Sequence, residues 1–388
     1  MPVWHEKTKA LRKSGKLAVV GIVQEQHAER ARLYAQWKGF DWPILQDQMT
    51  NLGLAVVPVV SLMDEHGVVQ ATRIRRPEQL EALLNESASP PSSKPAEFNS
   101  HQAPQSLLKG DLALMQVKPT KAIENYRAFL QTCSEAEKPN KKDEQFAQTL
   151  FRLGVAYRAK FDASESPAAA DFENASKYWT QAMQENPGQY IWRRRIEQYG
   201  PRNIKPYPFY DWVEQAIADI RKRGDEPVEL KAELSGAEIA KPSRQAEFKS
   251  DTNPDPNSKV PQVDSSQPEF HVATSSVPHQ VKRGKTVRVH LQLQLGKTHK
   301  WNNESTPLQV WVNSNSTGKP STQLMEIKNA SDSVSNEIRL VDFEFATDSS
   351  ASEVVVEGFV LANVCSNVDG VCSIRRRDFK LQVELAGK

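Results

Sequence analysis

The stretch that most constrains this chain is Leu52 to Val69, LGLAVVPVVSLMDEHGVV. An apolar run reaches a single proline, Pro58, and a second apolar run ends in Asp-Glu-His-Gly before two valines follow. The pattern reads as two short buried strands joined by a tight turn, with Gly67 supplying the positive φ that the turn needs. Proline has no N–H to give to a ladder, so Pro58 belongs at the first residue of its strand. The extended backbone it imposes on Val57 leaves two arrangements open: a cis Val57–Pro58 bond, or an ordinary trans proline at an edge.

Apolar strand, Val-Pro, apolar strand ending in Asp64, then Gly67-Val68-Val69 resembles the second half of a thioredoxin-like domain of the peroxiredoxin and cytochrome-maturation reductase type. LAVVGIV (Leu17 to Val23) resembles that family's βαβ strand, and GFDWPILQD (Gly39 to Asp47) the loop before its next helix. The resemblance implies a cis proline beside a Cys-x-x-Cys pair, with backbone near Val57 and Pro58 aligning a substrate strand. No Cys-x-x-Cys occurs here. Met1-Pro2-Val3-Trp4-His5 resembles the segment just after the redox pair, which implies that both cysteines and the strand before them lie upstream of Met1. On that expectation the chain alone is inactive, and its sheet has an unfilled position with an uncovered row of backbone donors. The competing expectation is a domain that never carried the pair and serves as a structural or binding module.

A chain of 388 residues exceeds one core, so two or three domains are expected. A formal charge of +2 gives no broad pull toward nucleic acid or membrane surfaces. No apolar run approaches the roughly 18 to 20 residues that span a bilayer, and no basic segment leads into an apolar signal core. Residues 1–84 alternate helix and strand, with helices over 4–13, 27–37 and 77–85 and strands over 17–23, 54–63 and 68–73. Residues 85–105 and 225–267, rich in Pro and Ser, read as linkers, the second with a helical turn or two at VELKAELSGAEIA. The fold class is therefore multidomain: an α/β thioredoxin-like unit, an all-α unit over 106–224 and an all-β sandwich over 268–388.

Within the helical stretch, Leu150, Leu153, Gly154 and Tyr157, then Ala175, Trp179, Ala182 and Pro187, resemble the two helices of a tetratricopeptide repeat. KFDASESPAAADFE between them is about nine residues longer than that family's turn. A preceding unit matches at Gly110, Ala122 and Tyr126 and departs at Ala113 and Phe129. Small residues let paired helices approach while large ones fill the groove. The resemblance implies a peptide or protein partner held in the helical groove. Next, Trp192, Arg193, Arg194, Arg195, Tyr199, Arg202, Lys205, Tyr207, Phe209, Tyr210 and Trp212 interleave aromatic and basic side chains. Such a mixture can stack and clamp single-stranded nucleic acid. The helical spacing of Phe209, Trp212, Val213, Ala216, Ile217 and Ile220 and the near-neutral charge favour a capping core instead, so no nucleic-acid partner is expected.

From 268 onward the period becomes two, in TVRVHLQLQL, PLQVWVNS, IRLVDFEF, SEVVVEGFVLAN and FKLQVEL, which argues for an antiparallel sandwich with an expected immunoglobulin-like topology. Cys365 and Cys372 flank Asp369-Gly370, a hairpin signal. A two-residue loop would set them diagonal, so bonding geometry needs a longer loop or a bulge. A structural disulfide, a redox pair and free thiols all remain open. A Cys–x–Gly–x–Cys hairpin near the end of such a domain resembles the N-terminal periplasmic domain of the transmembrane disulfide reductases, which implies electron exchange with thioredoxin-like partners. This chain departs from it in having six intervening residues and Ser373-Ile374-Arg375 in place of Tyr-Pro-Pro. Arg375, Arg376 and Arg377 would favour a thiolate if they face it, or form a solvated edge that discourages pairing between molecules. Cys133 reads as a helix core or boundary residue.

The histidines show no metal-ligand spacing, and no Walker loop, dinucleotide glycine cluster or Gly-x-Ser-x-Gly occurs, so no metal or cofactor is expected. The expected function is that of a thiol–disulfide oxidoreductase-related protein outside the cytoplasm, exchanging disulfides with a protein partner held by the helical unit. The alternative is a non-enzymatic interaction protein whose α/β unit is merely structural.

Overall fold

Pro2 opens the first helix, α1 (Pro2–Lys13), at the position where its missing N–H costs nothing, and Arg12 and Lys13 sit at the carbonyl end where cations are favoured. The computed structural model describes residues 2–85, 104–135, 144–201, 210–231, 246–249, 269–313 and 316–386. The chain divides into two compact units, one of Met1–Lys138, Gly188–Ile191 and Trp212–Lys231, the other of Pro139–Pro187, Trp192–Asp211 and Ala232–Lys388. Helices and strands in several sheets make a mixed α and β molecule, and no described helix is long and apolar enough to cross a membrane.

In the first unit β1 (Gly21–Val23) and β2 (Ile44–Gln46) pair in parallel across α2 (Ala28–Lys38). Gly39 stops α2 at φ 65°, and its N–H returns to the carbonyls of Ala35 and Gln36. β3 (Leu62–Met63) and β4 (Val69–Ala71) form an antiparallel pair, followed by α3 (Gln79–Asn85). The turn between them is as expected at Gly67, with φ 80°. Asp64 fixes it by accepting the N–H groups of His66 at 2.9 Å and Val68 at 2.8 Å.

The expected buried strands over 17–23 and 54–63 are shorter and less covered than the apolar runs suggest. Val20, Ile22, Val56 and Val57 are 51, 46, 47 and 50% exposed. The physical reason is that β1–β2 and β3–β4 are separate two-stranded sheets, with no ladder joining them among the described residues. A lone pair of strands leaves an edge and a face open.

The helices α4 (Gln105–Met115), α5 (Pro119–Glu135), α6 (Glu144–Asp162), α7 (Ala169–Glu185), α8 (Tyr190–Tyr199) and α9 (Val213–Lys222) follow. α4 and α5 pack as a pair in the first unit, α6 and α7 as a pair in the second. Both pairs share one packing device. Gly110 lies beneath the ring of Tyr126, and Gly154 beneath the ring of Trp179, so close that a Cβ on either glycine would stand 2.5 Å from the ring. The unusually long connection in the second pair is absorbed mostly as helix. α6 runs through Lys160, Phe161 and Asp162, and α7 begins at Ala169, which leaves Ser164-Glu165-Ser166-Pro167 within the break.

α9 belongs to the first unit and packs on α2. Trp37 and Trp212 stack at 6.0 Å, the Trp37 indole N–H donates to Asp219 at 2.9 Å, and Arg223 donates to the carbonyls of Gln36 and Trp37. In the second unit Trp192, Tyr199 and Tyr210 are at most 5% exposed. Arg202, Lys205, Tyr207 and Phe209 lie outside the described residues, as do residues 86–103 of the first expected linker and VELKAELSGAEIA from 232 onward.

The strands of the second unit are β5 (Ala246–Lys249), β6 (Phe270–Val277), β7 (Gln280–Val281), β8 (Thr286–Leu295), β9 (His299–Asn302), β10 (Leu308–Val312), β11 (Gly318–Pro320), β12 (Leu324–Ile327), β13 (Val334–Ser335), β14 (Arg339–Thr347), β15 (Val354–Ser366) and β16 (Cys372–Leu385). One sheet has the order β11-β14-β8-β6. The other runs β13-β9-β15-β10-β12-β5, with β16 on β15 and β7 on β16. β5 continues this sheet from within the stretch expected as linker. Alternate residues of both sheets share one core, including Val287, Val289 and Leu291 from the first and Val310, Val356 and Val360 from the second. The other face of the β6–β8–β14 sheet is also covered, because the α6–α8 segment packs there. Arg288 and Gln292, at outward positions of β8, are therefore buried where simple alternation predicts exposure.

Candidate functional site

β15 and β16 pair antiparallel from Val354↔Val383 to Cys365↔Cys372, so the two cysteines stand directly opposite at the tip of a long hairpin. The loop is longer than the Asp-Gly pair alone. Ser366 donates its N–H to the Val371 carbonyl at 2.9 Å, and Gly370, at φ 71°, donates to the Ser366 carbonyl at 3.1 Å. Asp369 accepts the Val371 N–H at 3.1 Å, and that bond, with help from the Ser366 hydroxyl, holds its carboxyl below the usual carboxylate range. The result is a Cys365–Cys372 disulfide with the Cα atoms 3.9 Å apart.

The two halves of the bridge differ in access. Cys365 is 8% exposed, whereas Cys372 lies on the exposed side of the tip beside Val368 and Val371, which are 82 and 60% exposed. Two of the three arginines after Cys372 are engaged elsewhere. Arg375 pairs with Glu269 at 2.7 Å, and Arg376 pairs with Asp378 at 2.7 Å while lying over the Phe359 ring. The cation that neighbours the bridge in the sheet is Lys300, the β9 residue directly opposite Cys365. Sequence reasoning missed it, since nothing local links β9 to this hairpin.

Val57 and Pro58 lie in the first unit and the cysteine pair in the second. The Val57–Pro58 bond is cis, as is Val277–Pro278. Cys133, outside the disulfide, is half-buried on α5.

A second constellation, not legible in the sequence, sits in the second unit. A cavity of about 60 Å³, partly open to solvent, lies between the outer face of β6, β8 and β14 and helices α6–α8. His290 Nε2 is 2.8 Å from the Tyr199 carbonyl, and its ring meets Phe172 edge-on at 5.1 Å. Burial, reinforced by the Arg288 and Arg158 charges and opposed by Asp342 and the Tyr199 carbonyl, pushes its pKa below the usual histidine value. Arg288 is ion-paired with Asp342 at 2.5 Å, Arg158 with Asp162 at 2.9 Å, and the Arg158 guanidinium lies 4.6 Å above the Tyr199 ring. Gln292 donates to the Pro167 carbonyl at 2.6 Å.

No protein-family model matches the chain, and no curated protein matches it at significance. Among solved structures, the sporulation control protein Spo0M from Bacillus subtilis is similar at 11% identity and a TM-score of 0.18, over 31% of this chain and 50% of that one. The chain thus spans half the length of that protein. A conjugative transposon lipoprotein from Bacteroides eggerthii is similar at 14% identity and a TM-score of 0.17, over 29% of this chain and 96% of that one. A FixG-related protein from Vibrio parahaemolyticus is similar at 8% identity and a TM-score of 0.15, over 29% and 94%.

Proposed function

We propose that this chain takes part in thiol–disulfide exchange outside the cytoplasm, with the Cys365–Cys372 bridge as the reacting group and the helix pairs as the surface that holds a protein partner. The observation that carries this reading is the placement of the bridge. It closes only a short loop at the end of a ladder that holds the strands without it, and it presents Cys372 to solvent. A structural staple gains most where it closes a long loop, and an exposed bridge is the labile kind. A disulfide also accords with an oxidising compartment.

The exchange runs in two displacements. A partner thiolate attacks Sγ of Cys372, forming a mixed disulfide, while Cys365 Sγ leaves with the bonding electron pair and takes a proton from water. The partner's second thiolate then attacks its own sulfur in the mixed bond and expels Cys372 as a thiolate. The net change is a two-electron reduction of the bridge and oxidation of the partner dithiol. Lys300, next to Cys365 across the sheet, favours the departing thiolate.

On this reading residues 1–84 are thioredoxin-like, with Val57 and Pro58 aligning a substrate strand, and the helix pairs are tetratricopeptide-like. The order of β1, α2, β2, the β3–β4 hairpin and α3 supports the first, and the glycine-under-aromatic seats at Gly110 and Gly154 support the second.

The test is equilibration of the full chain in glutathione buffers and with reduced thioredoxin, reading the bridge by mass after maleimide tagging. Reduction at potentials above about −300 mV supports exchange, since structural disulfides typically resist the glutathione pool below about that value. A bridge that stays oxidised there, and is not attacked by thioredoxin, overturns it. A second reading, a non-enzymatic interaction protein, is favoured by one observation: Leu108, Leu112 and Met115 form a stripe on one face of α4 at 42, 54 and 69% exposure. Apolar residues at that spacing suit a partner helix or peptide.

A further inference from the structure

We propose that the cavity between the β6–β8–β14 sheet and helices α6–α8 is a binding site for a small neutral aromatic molecule carrying one hydrogen-bond donor, a phenol in chemical class, with His290 Nδ1 as the acceptor. The walls supply the apolar part. Phe161, Ala169, Phe172, Ala273 and Leu340 line the space. A few precisely placed polar groups in an apolar cleft are what small-molecule sites are made of.

The polar requirement follows from the histidine's tautomer. A carbonyl can only accept, so the 2.8 Å contact with the Tyr199 carbonyl puts the ring proton on Nε2. That leaves Nδ1 as a lone-pair acceptor, and it makes no hydrogen bond among the described residues. Burial keeps the ring uncharged near neutral pH, so the acceptor persists there. An occupant that brings an O–H or N–H to Nδ1 satisfies it, whereas a purely apolar occupant does not.

The charges around the space exclude an ionic ligand. Arg288 with Asp342, and Arg158 with Asp162, are already matched as close ion pairs. A net charge brought into this partly desolvated space would meet no uncommitted counter-ion among these and would lose hydration. Size fixes the rest. At about 60 Å³ the space equals the liquid volume of roughly two waters, about 30 Å³ each. One edge of an aromatic ring fills it, and the open side accommodates the remainder.

The experiment uses the full chain, with phenol and toluene as matched probes that differ in the donor and not in the ring. Binding is read by titration NMR on the His290 ring protons. The expected result is saturable binding of phenol about fivefold tighter than toluene, the ratio one net neutral hydrogen bond provides. Ala169→Leu, which adds bulk to the cavity wall without removing a hydrogen bond, should abolish phenol binding in a chain whose circular dichroism is unchanged. Equal affinity for both probes, no binding of phenol at all, or phenol binding that survives Ala169→Leu would each overturn the proposal. This site and the cysteine bridge are independent, so the redox assay does not bear on it.

Discussion

At Gly154 an added methyl group would stand 2.5 Å from Cδ1 and Nε1 of Trp179, a ring only 1% exposed. Alanine improves helix propensity by about 1 kcal/mol over glycine, while overpacking a tight core costs about 1–3 kcal/mol. The ring has no room to retreat, so the second effect wins. Gly154→Ala is expected to lower stability by up to about 2 kcal/mol in urea unfolding, and an unchanged midpoint would show that the seat is loose. His290 makes a prediction of a different kind. Burial holds its folded pKa below the ordinary value of 6.5, so the unfolded chain takes up the proton first as pH falls. The stability it contributes is complete above about pH 6.5 and is lost progressively as pH drops through the depressed folded value. The groups that set this balance are Asp342, Arg288 and Arg158. Urea midpoints measured downward from pH 7 should therefore fall, and His290→Gln should flatten part of that slope.

The β15–β16 hairpin is the element on which the redox reading stands. Removing the bridge with Cys372→Ser releases a small loop, worth about 2–3 kcal/mol in the chain-entropy picture, while the ladder from Val354 to Val364 keeps its partners. Amide exchange is expected to rise only around Ser366–Val371 and to stay slow from Val356 to Val364. Loss of protection along the whole strand would mark the bridge as a staple. This hairpin was legible in the sequence because period-two alternation marks its strands, and two cysteines around Asp-Gly mark its tip. β8 and β14 were legible for the same reason. The valine runs near Val20 and Val56 misled, because apolar composition reports a taste for burial, and burial depends on which strands lie alongside. Lys300 beside Cys365, and the cavity at His290, were hidden for a related reason. They arise from packing between segments far apart in the chain, where no local period survives.

Neither compact unit is a continuous piece of chain, and the return of α9 to α2 is the clearest instance. Trp212 stacks on Trp37, Asp219 accepts the Trp37 indole N–H, and Arg223 donates to the carbonyls of Gln36 and Trp37, contacts that reach α2 from far along the chain. Cutting the backbone at a protease site engineered into residues 86–103 should therefore leave the two fragments associated in gel filtration. Trp212→Ala should weaken that association, and separation of the unaltered fragments after the cut would show that the α2–α9 contact is marginal. The same arrangement bears on synthesis. Gln36 donates to the carbonyl of Glu226, a partner 190 residues further on. At about 5–20 residues per second, a ribosome takes roughly 10–40 seconds to deliver that partner, during which the Trp37 side of α2 waits uncovered and is open to chaperones.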